Sequence, residues 1–222
     1  MTFGARLAEV RARMSAACAR AGRDPASVSL VAVSKTHPPE LVREAWAAGQ
    51  RVFGENYAQE LCAKADALRD LDGVAWHFIG HLQRNKVKDV LARASVVETV
   101  DSSRIAEAIA KRAAEGGRRV QVLIEVSVAG EAQKAGAAPA DVPALVESVR
   151  AMPALDLRGL MTVPPDSDDP EETRPYFRTL RTLARSLGLD ELSMGMTGDF
   201  EVAIEEGATL VRIGTALFGP RR

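Results

Sequence analysis

The stretch VSLVAVSKTHPPELVREAWAAG, residues 28–49, contains the structural unit on which the fold of this 222-residue chain depends. Its first six residues form a short run rich in β-branched side chains, which predicts a strand over 28–33. Pro38 and Pro39 then open a segment whose apolar residues recur with helical spacing, and Gly49 follows as a helix-ending glycine. The unit is therefore a strand followed by a helix.

The same alternation recurs along the rest of the chain. Further strands are predicted over 52–53, 75–79, 96–100, 120–126, 155–161, 192–194 and 209–213, and helical patterns separate them. Eight such strands predict an α/β fold, a single (β/α)8 TIM-type barrel that covers residues 1–222 as one domain. An open doubly wound sheet is the alternative, but its first strand is usually followed by a glycine-rich phosphate loop, and residues 34–37 contain no glycine.

An extra helix is predicted before the first strand. Five arginines among the first 23 residues imitate an arginine-rich transit peptide. However, the apolar residues of this segment recur every three or four positions and form one stripe, as a docked amphipathic helix requires; they are Phe3, Leu7, Val10, Met14 and Ala17. We therefore expect an N-terminal helix that packs on the barrel.

The composition excludes several classes of protein. With 46% hydrophobic and 27% charged residues, the chain is not disordered. A formal net charge of −1 offers no basic excess for a nucleic-acid backbone, and no apolar run approaches the ~20 residues that span a bilayer. Two cysteines without paired Cys or His spacing predict a reducing compartment and no metal site. We expect a cytoplasmic protein with a small-molecule ligand, without nucleic-acid or membrane partners.

The ends of the predicted strands contain the candidate functional residues, because the active sites of such barrels lie at the carboxyl ends of the strands. Lys35 directly follows the apolar first strand. Partial desolvation there favours the neutral amine, which can attack a carbonyl carbon. A surface ion pair is the alternative role for this lysine.

The loops after the seventh and eighth strands are suited to an anion. Gly195 and Gly198 allow close approach of the backbone, and Asp199 is a predicted N-cap of the next helix. Gly214 and Thr215 offer successive N–H groups and a hydroxyl. Phosphate binding is one interpretation of these loops, and turn formation alone is the other.

Six sequence blocks carry a more specific signal: VAVSKT (31–36), FGENYAQE (53–60), WHFIGHLQRNK (76–86), GLMTVP (159–164), LSMGM (192–196) and VRIGTALFG (211–219). In this order, they closely resemble the family of pyridoxal phosphate homeostasis proteins. The resemblance implies a stand-alone version of the barrel domain of alanine racemase. Such proteins are mostly monomeric, bind pyridoxal 5′-phosphate (PLP) as a lysine aldimine and have no established turnover.

The resemblance also implies roles for residues around the cofactor ring. Lys35 would form the aldimine, Asn56 would lie close to the ring, and Arg212 would meet the pyridine nitrogen. An arginine cannot accept a proton, so it leaves this nitrogen unprotonated and weakens the electron sink that carbanion chemistry needs. The resemblance assigns no role to His77 or His81, and a structural role is an equal alternative for each.

At the phosphate, the resemblance implies that Ser193, Gly214 and Thr215 bind the anion. This chain departs from the family in the neighbouring loop, where Thr197 and Gly198 replace a common serine and aspartate. A second departure is the run Gln133-Lys134-Ala135-Gly136, where the family commonly has serine, lysine, serine and glycine.

Three functions follow from these observations. The favoured one is a PLP-binding protein that contributes to intracellular PLP homeostasis by storage, delivery or buffering, with PLP-dependent apo-enzymes as candidate partners. A catalytic amino-acid racemase is the alternative, and a phosphate-binding barrel without a lysine adduct is the third. In alanine racemase the second base is a tyrosine from an additional β domain, which these residues do not provide. Tyr57 alone keeps the racemase alternative open. Because the resemblance places an arginine at the pyridine nitrogen and assures no base on the far face of the cofactor, we predict no enzyme-like turnover.

Overall fold

Eight parallel strands close into a barrel in the order of the chain. The computed structural model of the protein describes residues 1–130 and 135–220. Its strands are β1 (Ser29–Val33), β2 (Val52–Glu55), β3 (Ala75–Phe78), β4 (Val96–Val100), β5 (Val120–Glu125), β6 (Leu155–Met161), β7 (Glu191–Ser193) and β8 (Leu210–Ile213). The barrel is closed because β1 pairs in parallel with both β2 and β8. The predicted (β/α)8 barrel is confirmed.

Helices cover the outside of the barrel. They are α1 (Phe3–Arg20), α2 (Pro39–Ala47), α3 (Ala58–Ala67), α4 (Val87–Leu91), α5 (Ser103–Glu115), α6 (Val142–Arg150), α7 (Arg174–Ser186), α8 (Phe200–Glu205) and α9 (Thr215–Phe218). The predicted N-terminal helix is α1, which buries the predicted apolar stripe and packs on α8 and α9. Helix α9 was not predicted, because four residues are too short to show a helical period.

For two strands, β4 and β6, the predicted first and last residues agree with the observed ones. Helix α7 begins at Arg174, after the acidic residues 171 and 172. Residues 170–173 form a 3-10 turn, in which the Asp169 carboxylate accepts a hydrogen bond from Glu171 N at 2.9 Å. This local cap satisfies the backbone before the α-helix starts.

The side chains of the strands alternate between two cores, because successive residues of a strand point to opposite faces. One core lies between the strands and the helices. The other contains Val31, Val96, Leu123, Met161 and Leu210. Since β1 and β5 lie on opposite sides of the barrel, these five residues meet inside it.

Polar residues replace this inner core toward the mouth of the barrel. Glu98 and Arg212 follow Val96 and Leu210 by two positions, so they share the inward face of their strands. Both are buried, with 0% and 4% of their surface exposed. The fold therefore places charged groups inside the barrel, directly below the strand ends.

The described residues, 1–130 and 135–220, contain neither a membrane-spanning helix nor a candidate metal cluster. None of the described helices combines the length and the apolar character needed to cross a bilayer. The same residues contain no group of three or more His, Cys, Asp and Glu side chains that could hold a metal ion.

Candidate functional site

A cavity of about 450 Å³ opens at the carboxyl ends of the strands. Five of the six residues predicted to bind the cofactor line it: Lys35, Asn56, Arg212, Gly214 and Thr215. Its volume lies within the ~300–1,000 Å³ that is usual for small-molecule sites. The sixth predicted residue, Ser193, is fully buried below this cavity.

Lys35 lies in a turn whose backbone is strained at the next residue. Thr36 has a φ of 66°, and it is the one non-glycine residue with positive φ in the described part of the chain. This conformation is unfavourable for a β-branched residue and persists only where neighbouring groups hold it. Here the Thr36 N–H donates a hydrogen bond of 2.7 Å to Glu60 Oε2 on α3. Helix α3 thus fixes the turn that presents Lys35.

A buried lysine on the same helix strengthens this contact. Lys64 Nζ donates to the Ser34 carbonyl oxygen at 2.7 Å, to Glu55 Oε1 at 2.7 Å and to Glu60 Oε2 at 2.8 Å. These three hydrogen bonds use all three protons of the ammonium group. Lys64 therefore ties β2 and α3 to the residue that precedes Lys35. Sequence reasoning missed this cluster, although the spacing of Glu60 and Lys64 suits an ion pair on one helix face.

The two carboxylates of this cluster are shifted in opposite directions. Burial raises the pKa of the Glu55 carboxyl above its ordinary value, and the Lys64 ammonium offsets part of this rise. Partial burial acts in the same direction on Glu60, but the hydrogen bonds from Lys64 and Thr36 outweigh it and lower the pKa of Glu60. Glu60 is thus the partner that stays ionised beside Lys64.

Asn56 lines the cavity and contains an unpartnered polar atom. Its Oδ1 is buried and has no hydrogen-bond partner among the described residues. Buried polar atoms are nearly always paired in folded proteins, so an orphaned atom on a cavity wall indicates a missing partner.

Arg212 is held from below by two hydrogen bonds. Its Nη1 donates to Ser193 Oγ at 2.6 Å, and its Nη2 donates to the Thr162 carbonyl oxygen at 2.8 Å. Burial lowers the pKa of Arg212 from its ordinary value, and the charge of Glu98 opposes this effect. The guanidinium has five N–H donors, so donors remain for a group in the cavity.

The glycine-rich loops after β7 and β8 also line the cavity. The side chain of Thr197 lies against α9, where the Ala216 N–H approaches its Oγ1 at 3.4 Å. Asp199 occupies the predicted N-cap position of α8, but its side chain accepts from Met196 N at 2.6 Å and makes no capping bond to that helix. The Asp199 carboxylate therefore shapes the loop that contains Thr197.

Comparison with known proteins now identifies the family. The sequence model described as alanine racemase, N-terminal domain, matches residues 6–222. A pyridoxal phosphate homeostasis protein of Aquifex aeolicus is 48% identical over 98% of this chain and 97% of its own length. Another, from Pseudomonas aeruginosa, is 49% identical over 99% of this chain and 96% of its own.

This chain belongs to the pyridoxal phosphate homeostasis protein family. A solved structure agrees: PipY of Synechococcus elongatus, determined with PLP bound, has a TM-score of 0.87 and 38% identity. The similarity covers 98% of this chain and all of that one (100%). The predicted resemblance to the family is confirmed over nearly the whole sequence.

Other residues singled out from the family pattern lie outside the cavity wall. His81 is an exposed residue whose Nδ1 lies 3.4 Å from Asp101 Oδ2. Tyr57 is 54% exposed. His77 is buried, and its Nδ1 lies 2.5 Å from Glu98 Oε1. Gln133, where this chain departs from the family, and the adjacent Lys134 lie outside the described residues.

Lys64→Met tests the cluster behind Lys35. We expect the free energy of unfolding to fall by about 2 kcal/mol, because a buried ion-pair partner is lost while protonation of Glu55 limits the remaining repulsion. Chemical denaturation measures this change. Lys88→Met is the control, since Lys88 is exposed and should leave stability within about 0.5 kcal/mol. Equal stability of the two variants would show that Lys64 does not hold this region.

Proposed function

We propose that this chain binds PLP covalently through Lys35 in the mouth cavity and contributes to intracellular PLP homeostasis. Residues 1–222 would act as one PLP-binding barrel domain, in a cytoplasmic monomer. The observation that carries the proposal is the convergence of Lys35, Arg212 and the loop at Gly214 and Thr215 on one cavity. The family relatives, and PipY with PLP bound, support the same ligand.

The residues of the cavity fit this cofactor. When bound, PLP supplies an aldehyde that condenses with a lysine amine and releases one water. Lys35 provides the amine from the end of β1. Arg212 faces the ring nitrogen as a donor that cannot give up its proton, so this nitrogen remains an acceptor. Asn56, with its unpartnered Oδ1, follows β2, the strand next to β1 in the barrel, and is proposed to contact the ring.

The phosphate group is proposed to lie at the loops after β7 and β8. Gly214 and Thr215 line this side of the cavity and offer backbone N–H groups and a hydroxyl. Thr197, where the family commonly has a serine, lines the same side and keeps a hydroxyl. The contact predicted between Ser193 and the phosphate stays a prediction, since the Ser193 hydroxyl is engaged by Arg212 and Glu98.

Binding without turnover is the form of the function that we propose. A racemase needs an acid or base on each face of the cofactor. Tyr57, which kept that alternative open, is 54% exposed and is not among the described residues that line the cavity. A homeostatic protein instead stores, buffers or delivers PLP, and PLP-dependent apo-enzymes are the proposed recipients.

The phosphate site gives a direct test of the proposed pose. Pyridoxal, which lacks the phosphate, should bind at least about 100-fold more weakly than PLP, because two hydrogen bonds to a charged group contribute about 1.5 kcal/mol each. Absorbance titration of the purified protein with each compound measures both dissociation constants. Inorganic phosphate should compete with PLP at high concentration. Equal dissociation constants for pyridoxal and PLP would contradict the phosphate site.

A further inference from the structure

A continuous chain of hydrogen bonds runs through the upper barrel from β3 to β8. His77 Nδ1 lies 2.5 Å from Glu98 Oε1, and Ser193 Oγ donates to Glu98 Oε2 at 2.5 Å. Arg212 Nη1 donates to the same Ser193 Oγ at 2.6 Å. All four residues are buried, and Glu98 and Ser193 are completely so. The network therefore connects a carboxylate inside the barrel to the guanidinium on the cavity wall.

The donor and the acceptor of each hydrogen bond from Arg212 to Glu98 are fixed by the chemistry of the groups. Arg212 can only donate, and an ionised Glu98 can only accept. The Ser193 hydroxyl between them must accept from Arg212 and give its single proton to Glu98. Burial alone would raise the pKa of Glu98, but the hydrogen bond from His77 and the charges of His77 and Arg212 hold it below its ordinary value. Glu98 is therefore the fixed acceptor at the centre of the network.

We infer that His77, Glu98 and Ser193 are positioning residues that aim the Arg212 guanidinium at the ring nitrogen of PLP. The inference rests on the proposed function. The inference assigns Ser193 to the nitrogen end of the cofactor, where Ser193 acts through Arg212, in place of the phosphate contact that the family resemblance implies. Thr197 then supplies the side-chain hydroxyl on the phosphate side of the cavity.

The hydrogen bonds that the Ser193 hydroxyl already makes support this assignment. Its one proton is donated to Glu98, so no proton remains for a phosphate oxygen. A phosphate contact would break a buried hydrogen bond of a charged group, which is among the costliest to lose. Thr197, by contrast, lines the cavity on the side of Gly214 and Thr215.

Two ligand comparisons separate the two ends of the cofactor. The first compares PLP with 1-deazapyridoxal 5′-phosphate, in which a carbon replaces the ring nitrogen and the acceptor for Arg212 is gone. The second compares PLP with pyridoxal, which lacks the phosphate. The unaltered chain should prefer PLP over the deaza analogue about tenfold, the factor expected for one hydrogen bond from a charged donor.

Ser193→Ala is expected to reduce the preference for PLP over the deaza analogue to about twofold. The Arg212 guanidinium loses the hydrogen bond that orients it toward the ring nitrogen, while both ligands keep their other contacts. Its preference for PLP over pyridoxal should stay as in the unaltered chain. Thr197→Val is the matched control. Its preference for PLP over pyridoxal should fall, and its preference for PLP over the deaza analogue should stay as in the unaltered chain. Glu98→Gln keeps the size of Glu98 and should also lower the deaza preference, which provides a second variant if Ser193→Ala does not fold.

The outcomes are distinguishable. A fall of the pyridoxal preference in Ser193→Ala, with an unchanged deaza preference, would place Ser193 at the phosphate and overturn the inference. Equal weakening of all three ligands in both variants would show a merely structural role and would also overturn it. If the unaltered chain bound PLP and the deaza analogue equally well, Arg212 would not contact the ring nitrogen, and this result would also overturn the inference. Failure of the unaltered chain to bind PLP would instead contradict the proposed function itself.

Discussion

Lys35→Ala is expected to abolish covalent capture of PLP and to weaken its binding by about 100-fold, because an amine already placed beside the aldehyde reacts with a high effective molarity. The turn itself is expected to keep its conformation in this variant, since the Lys64 cluster holds it through Ser34, Glu60 and the Thr36 N–H. Residual, non-covalent binding through the phosphate loops should remain. Visible absorbance after incubation with PLP, followed by borohydride treatment, measures the loss of the trapped adduct.

A control distinguishes Lys35 from other lysines in the same sequence blocks. Lys86 belongs to the WHFIGHLQRNK block but does not line the cavity. Lys86→Ala should therefore bind and trap PLP like the unaltered chain. Full trapping in Lys35→Ala, or its loss in Lys86→Ala, would mean that the reactive amine lies elsewhere.

Gly80→Ala is expected to lower the free energy of unfolding by about 3 kcal/mol or more, because the added methyl group has no space. A Cβ at this position would lie 1.9 Å from the Asn56 carbonyl oxygen and 2.7 Å from the Asn56 Cα. These are backbone atoms, so no rotation of a side chain relieves the overlap. The same displacement moves Asn56 on the cavity wall, so PLP affinity should fall together with stability.

Gly4→Ala is the matched control for this substitution. A Cβ on Gly4 would lie 3.9 Å from the Ala48 Cβ, an ordinary contact, and the residue is near the start of α1. Alanine is favoured over glycine in a helix by roughly 0.5–1 kcal/mol, so stability should rise slightly. Urea unfolding of both variants provides the comparison. A Gly80→Ala variant as stable as the unaltered chain would contradict the close approach of β2 and β3 at the mouth.

The sequence predicted the barrel because its signals are local. The run Val120–Glu125 is a short, mostly apolar segment of strand length, and the apolar stripe of α1 has the helical period. Neither signal needs information about distant residues. The position of Lys35 was also predictable, because the carboxyl end of any barrel strand lies at the mouth. The turn that presents Lys35, by contrast, is held by α3.

The polar network of the upper barrel was not predictable in the same way. Glu98 was visible as a charged residue inside the apolar strand β4, but its partners lie 21 residues away at His77 and 95 residues away at Ser193. Only the closed barrel brings these strands together. The positive φ of Thr36 could not be predicted from the sequence for a similar reason. Glu60 and Lys64 on α3, more than 20 residues away, stabilise a conformation that threonine disfavours.

The most direct test of the account is to locate the modified residue in the unaltered protein. The protein is incubated with PLP, reduced with borohydride, digested, and its peptides are mapped by mass spectrometry. The account predicts a single reduced adduct, in the peptide that contains Lys35. An adduct on Lys64, Lys86 or Lys134 in place of Lys35, or no adduct at all, would contradict it.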